Sequence, residues 1–162
     1  MNINDYLIDQ NDLDWQSLLE EWRWLLPLQF KVWLFTRTGD LFILLPEGAI
    51  HKLDVGSGRL SRVAASRDEA GMKIDEPEVA RDWLMIPVVD QLVAGGHVLG
   101  PGQCYSYRML PALGGTQKID NRVVLSIREH FGVSGSLHRQ ISNMSGGTEF
   151  AIKSAANAIP LP

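Results

Sequence analysis

The stretch FKVWLFTRTGDLFILLPEGAIHKLDVGSGRLSRVA, Phe30–Ala64, decides the fold class. Four short runs rich in β-branched and aromatic residues alternate with Gly-containing turn signals. Strands are predicted at Phe30–Thr36, Leu41–Leu45, Ala49–Asp54 and Arg59–Ala64. The intervening Thr38-Gly39-Asp40, Pro46-Glu47-Gly48 and Gly56-Ser57-Gly58 are turn-forming, so the four runs read as an antiparallel meander. The first two strands are apolar on both faces and are expected to lie centrally. The last two carry His51, Lys52, Arg59 and Arg62 and are expected to have one wet face.

Helical patterns flank this meander. Trp15, Leu18, Leu19, Trp22, Leu25 and Leu26 recur at the spacing of one helical face. Asp12 or Asp14 is placed to cap that helix, and Pro27 ends it at Leu26. Ser66 caps a short helix leading to Gly71. Glu76–Ala94 reads as helical, with Pro77 in its first turn, a break or kink at Pro87 and Gly95-Gly96 at its close. A Gly100-Pro101-Gly102 turn leads to a strand at Cys104–Leu110, a Gly-Gly turn and a strand at Arg122–Leu125. Ser126 then caps a last helix running to about Asn143, with Glu129 at the capping-box position. A turn at Ser145–Gly147 and an edge strand at Thr148–Ile152 complete the prediction. The expected fold is α+β, a mainly antiparallel sheet with amphipathic helices packed against it. The 162 residues suit a single domain, with residues 1–28 as an N-terminal helical segment.

Bulk composition narrows the function classes. Apolar residues make up 45 % and charged residues 21 %, which is globular rather than disordered. The net charge of −4 and the lack of a Lys/Arg block argue against direct nucleic-acid binding. The acidic start MNINDYLIDQND has no signal-peptide pattern, and the apolar runs Leu41–Leu45 and Trp83–Val89 are too short to span a bilayer. With a single cysteine, Cys104, no internal disulfide can form. A cytoplasmic protein is expected.

No residue pattern announces catalysis. Cys104 has His97 nearby in sequence but no third, orienting group, and it is expected in the core, since free Cys is among the most buried residue types. His51, His97, His130 and His138 show no HxxxH or HExxH spacing and there is no CxxC, so no metal or cofactor is expected. His130 and His138, eight residues apart, fall near one helical stripe. They form either a shared polar pocket beside the Cys104 strand or two satisfied histidines at a core edge, and the second is expected. The segments GSGR, GPGQ and GGTQK match no phosphate-binding fingerprint and read as turns. The pairs Asp68-Glu69, Asp75-Glu76 and Glu20-Glu21 read as solvated faces. Trp24 lies about 180° from the Trp15/Leu18/Trp22 stripe on a helical wheel and is either a contact anchor or a residue lying along the surface.

The segment Leu99–Ile141 carries an ordered set of elements: GQCY at Gly102–Tyr105, LGG at Leu113–Gly115, Asn121, then a helix ending in LHRQI at Leu137–Ile141. This set resembles the C-terminal module of a family of bacterial immunity proteins linked to type VI secretion. The upstream GDLFILL at Gly39–Leu45, HKLDVGSGRLSRVAASRDE at His51–Glu69 and Asp82-Trp83-Leu84 are also similar to that family, so the resemblance spans residues 30–152. It implies a non-enzymatic protein that neutralises a cognate secreted effector toxin, some such toxins being nucleases. On that reading Trp24, with Glu20 and Glu21 around it, is the candidate partner-binding face, an aromatic centre in an acidic rim. The rival reading is a small-ligand or nucleotide-sensing module with a pocket at Gln103, Tyr105, Asn121 and His138. The third is an enzyme with an unrecognised site.

Overall fold

The structure is a computed structural model that describes residues 1–144. The expected turn at Ser145–Gly147 and strand at Thr148–Ile152 lie outside the described residues. The meander forms as read: β1 (Lys31–Phe35), β2 (Leu41–Leu44), β3 (Ile50–Asp54) and β4 (Arg59–Ala64) pair antiparallel in chain order. Leu41, Phe42 and Ile43 of β2 are all buried because both sheet faces are covered. On one face Phe42 and Ile50 pack with Trp83, Leu84 and Leu92, and on the other Leu41, Ile43 and Leu53 pack with Trp22 and Phe131.

The central position expected for β1 is corrected, because strand order puts it at the sheet edge. Its apolar character has another cause. The N-terminal segment lies along that edge, with a Leu7–Thr36 bridge and the Ile8 amide donating to the Phe35 carbonyl at 2.8 Å. The Arg37 amide donates to the Tyr6 carbonyl and Gln10 Nε2 to the Trp33 carbonyl, so the segment is a strap over an otherwise unpaired strand.

The first helix is also shorter than its periodicity predicts. It consists of one α turn, α1 (Trp15–Leu18), then a 3₁₀ turn at Glu20–Trp22. Asp14 caps α1 through its carboxylate and the Ser17 amide. The chain tightens where the backbone of Glu21 meets the last helix, α5 (Ile127–Asn143). A Cβ at Gly135 of α5 would sit 2.7 Å from the Glu21 carbonyl oxygen and 2.9 Å from Trp22 Cδ1. The glycine inside α5 therefore buys a close backbone approach at the cost of helix propensity, roughly 1 kcal/mol.

Between these layers come α2 (Arg67–Ile74), α3 (Pro77–Trp83) and α4 (Ile86–Ala94). The Ser66 hydroxyl caps α2 through the Glu69 amide at 3.1 Å. The break expected at Pro87 within Glu76–Ala94 falls two residues earlier, at Met85, which takes a left-handed conformation with φ 48° so that Ile86 and Pro87 open α4. β5 (Gln103–Tyr107) and β6 (Arg122–Ser126) form a separate antiparallel pair, tied to the meander by the Tyr105 amide on the Arg37 carbonyl. Ser126 caps α5 through the Glu129 amide, as its sequence position predicts. The fold is α+β.

Candidate functional site

Two glycine turns of the meander receive the two histidines of α5. His130 Nε2 lies 2.9 Å from the Gly39 carbonyl and Nδ1 lies 2.8 Å from Ser106 Oγ. Nε2 therefore carries the proton and donates to the carbonyl, while Nδ1 accepts from the serine hydroxyl. His138 Nε2 donates to the Val55 carbonyl at 2.8 Å, and its ring packs against Gly58. Eight helical residues rise about 12 Å, close to the roughly 9.5 Å between alternate hairpin turns of a meander. That match explains the His130/His138 spacing. Burial holds His130 at about 4 and lowers His138 as well, so both rings stay neutral. They are satisfied core histidines rather than a shared pocket.

Two buried charged residues went unread in the sequence. Asp40, 3 % exposed, accepts the Val55 amide through Oδ1 at 3.0 Å, linking the first hairpin turn to the end of β3. Burial pushes its carboxyl up to about 6. Its place in a Thr-Gly-Asp turn signal disguised it as a surface residue. Arg122, also 3 % exposed, lies 3.9 Å over the Tyr107 ring. Its Nη2 donates to Gln117 Oε1 at 3.0 Å and to the Tyr107 hydroxyl at 3.2 Å, whereas Nε and Nη1 have no partner among the described residues. The register of Tyr107 opposite Arg122 is the only sequence-level hint of this stack.

Cys104 is fully buried, and desolvation raises its thiol well above the ordinary range, which leaves it unreactive. Among the described residues no group of three or more His, Cys, Asp or Glu is placed to hold a metal ion. No helix there is long and apolar enough to cross a membrane.

The four residues of the expected pocket do not converge. Gln103 and Tyr105 share one groove, where Gln103 Oε1 accepts the Gly100 amide and the Tyr105 hydroxyl donates to the His97 carbonyl. Asn121 instead clasps the loop after β5: its Oδ1 accepts the Met109 amide, and its Nδ2 donates to the Met109 and Thr116 carbonyls. His138 is occupied at Val55. GQCY and LGG thus build strand and turn. Gly114 has φ 100°, and a Cβ at Gly115 would fall 2.0 Å from the Met109 carbonyl oxygen. Gly114→Val meets open space and is strained only in its backbone. It is expected to cost about 1–2 kcal/mol of stability, read as a lower urea midpoint, before it alters any binding.

The Trp24 face also differs from the helical wheel. Because the chain tightens before it, Trp24 folds back, half-buried, with its ring stacked on Trp22 at 6.0 Å between centroids and 18° between planes. Glu21 pairs with Arg139 of α5 at 3.0 Å, and Glu20 is exposed. A groove of ≈ 380 Å³ opens on this side between Trp15, Leu19, Leu26 and the fully exposed Leu28. A second, of ≈ 840 Å³, runs from Trp15 past Gln10 to Ile8. A third, of ≈ 620 Å³, lies across the strap between Leu7, Leu13 and the Val98–Gln103 loop.

Residues 64–138 match the family model described as T6SS immunity protein Tdi1, C-terminal. The match takes in α2 to β6 and most of α5, including GQCY, LGG and Asn121. It begins at the last residue of β4, so the meander from Phe30 onward, which the sequence resemblance had included, lies before it. No curated protein matches the chain.

Proposed function

We propose, from the match of residues 64–138 to a model of type VI secretion immunity proteins, that this protein binds a cognate effector toxin and neutralises it by covering a surface, without catalysis. The family match carries the reading. The buried thiol and the two neutral histidines, His130 bonded through both ring nitrogens and His138 through Nε2, agree with it, since each holds the fold. The protein acts as one domain in the cytoplasm, where a free cysteine stays reduced. A nuclease is the effector class to test first.

Capture engages the N-terminal face, with Trp24 and Glu20 at one end of it. Co-expression with a candidate toxin from a gene adjacent to that of this chain is expected to rescue growth and to yield a complex that survives gel filtration. Trp24→Ala is expected to weaken that complex by about 2 kcal/mol. Because its ring also stacks on Trp22, the melting temperature of the variant is measured alongside. Equal cell death with and without this protein, and no complex on the column, would sink the proposal.

A further inference from the structure

The charge of this chain is unevenly placed. Six of its 19 acidic residues fall within the first 22 positions and none of its 15 Lys and Arg do, so the remainder is slightly basic. Of those six, Glu21 alone has an ion-pair partner among the described residues. Asp5, Asp9, Asp12, Asp14 and Glu20 are exposed and unneutralised.

The segment that carries them is firmly held. Its backbone bonds to β1, and the Tyr6 hydroxyl donates to Asp90 Oδ1 on α4 at 2.7 Å. An ordered strap spares a partner the ordering cost of a disordered tail. The ≈ 620 Å³ groove beside it has apolar walls: Leu7 and Leu13 on the strap, Val93 at the end of α4 and Val98 in the following loop. Val93 and Val98 are 48 % and 76 % exposed, an unusual state for two neighbouring β-branched residues. Asp9 and Asp12 stand on the rim. Among the described residues the one cation lining the groove, Arg37, donates through Nε to the Leu7 carbonyl.

We infer that this groove is where the effector docks, and that it takes a basic protein surface presenting an apolar side chain. The inference rests on the capture reading and adds the site and the chemistry of the partner. An apolar cleft alone would admit many ligands. The rim selects, because carboxylates with no ion-pair partner among the described residues repel an acidic surface and attract a basic one, and they speed encounter more than they tighten the final complex. The apolar walls supply the slow dissociation. The groove shares Ile8 with the cleft leading to Trp15, which in turn lines the cleft beside Leu28, so one continuous face runs along the strap.

The test uses the full chain and that candidate toxin, with association and dissociation followed by surface plasmon resonance at two salt concentrations. The double variant Asp9→Lys, Asp12→Lys is expected to lower affinity at least tenfold, mainly through the association rate, and to flatten its salt dependence. Val98→Asp is expected to lose at least tenfold through faster dissociation. The double variant Glu47→Lys, Asp75→Lys, in the turn between β2 and β3 and at the end of α2, is the charge-matched control and is expected to bind as the parent does. Thermal melts check that each variant is folded. Parent-like binding by both groove variants overturns the groove and leaves capture standing. Failure of the parent chain itself to bind overturns capture, and the groove with it.

Discussion

Gly39→Ala is expected to cost roughly 3–8 kcal/mol, a large share of the roughly 5–15 kcal/mol that holds a domain folded. Three effects add. Gly39 has φ 87°, where an L side chain is strained by about 1–2 kcal/mol. Its Cβ would lie 2.2 Å from His130 Nε2 and 2.4 Å from Cε1, a clash costing about 1–3 kcal/mol to relieve. His130 cannot swing aside cheaply, because doing so strands the Gly39 carbonyl and the Ser106 hydroxyl, for about 1–3 kcal/mol more. Gly48→Ala separates these effects. Gly48 has φ 105° with nothing within 4 Å, so it should lose only the backbone part. Equal urea midpoints for the two variants would mean that the His130 seat contributes little.

Asp40→Asn is expected to be at least as stable as the parent at pH 7 and to lose stability more steeply below pH 6.5. His130 titrates near 6.5 when unfolded and at about 4 when folded. The unfolded chain therefore binds the extra proton in that window, and stability falls as the pH drops from 6.5 to 4. Asp40 works the other way. Its carboxyl, about 3.8 unfolded, is raised by burial to about 6, so the folded chain binds the extra proton and gains stability as the pH drops from 6 to 4. Each contribution is on the order of 2–3 kcal/mol, and in the parent they nearly offset. Asparagine keeps an acceptor for the Val55 amide and removes the ionisable carboxyl, which uncovers the histidine slope. Chemical denaturation from pH 7.5 to 4 measures this, and parallel curves for the two proteins would refute it.

What the sequence disclosed and what it hid have separate physical causes. The four meander strands were legible because strand period and turn chemistry act over a few residues, and the Ser66 and Ser126 caps were legible for the same reason. The helix expected from Trp15 to Leu26 was misjudged because its apolar spacing is also met by a tightened turn, which sits against a helix face that Gly135, more than a hundred residues later, leaves open. The edge position of β1 was hidden because its second cover is the N-terminal strap rather than another strand. Among site residues, the histidine spacing was visible but its purpose was not, since the receiving carbonyls of Gly39 and Val55 lie on turns that only the folded sheet aligns. Asp40 and Arg122 were overlooked because burial is a property of the whole fold.

The strap along β1 has a consequence for how such a protein can diversify. An uncovered edge strand invites another chain to add to it, and so exposes a protein to self-association. The backbone of Tyr6–Ile8 closes that edge, while the carboxylates of Asp9 and Asp12 point outward from the same segment. Closure depends on main-chain groups that almost any residue supplies. A lineage can therefore rewrite the outward side chains, generation after generation, without opening that edge to its own kind.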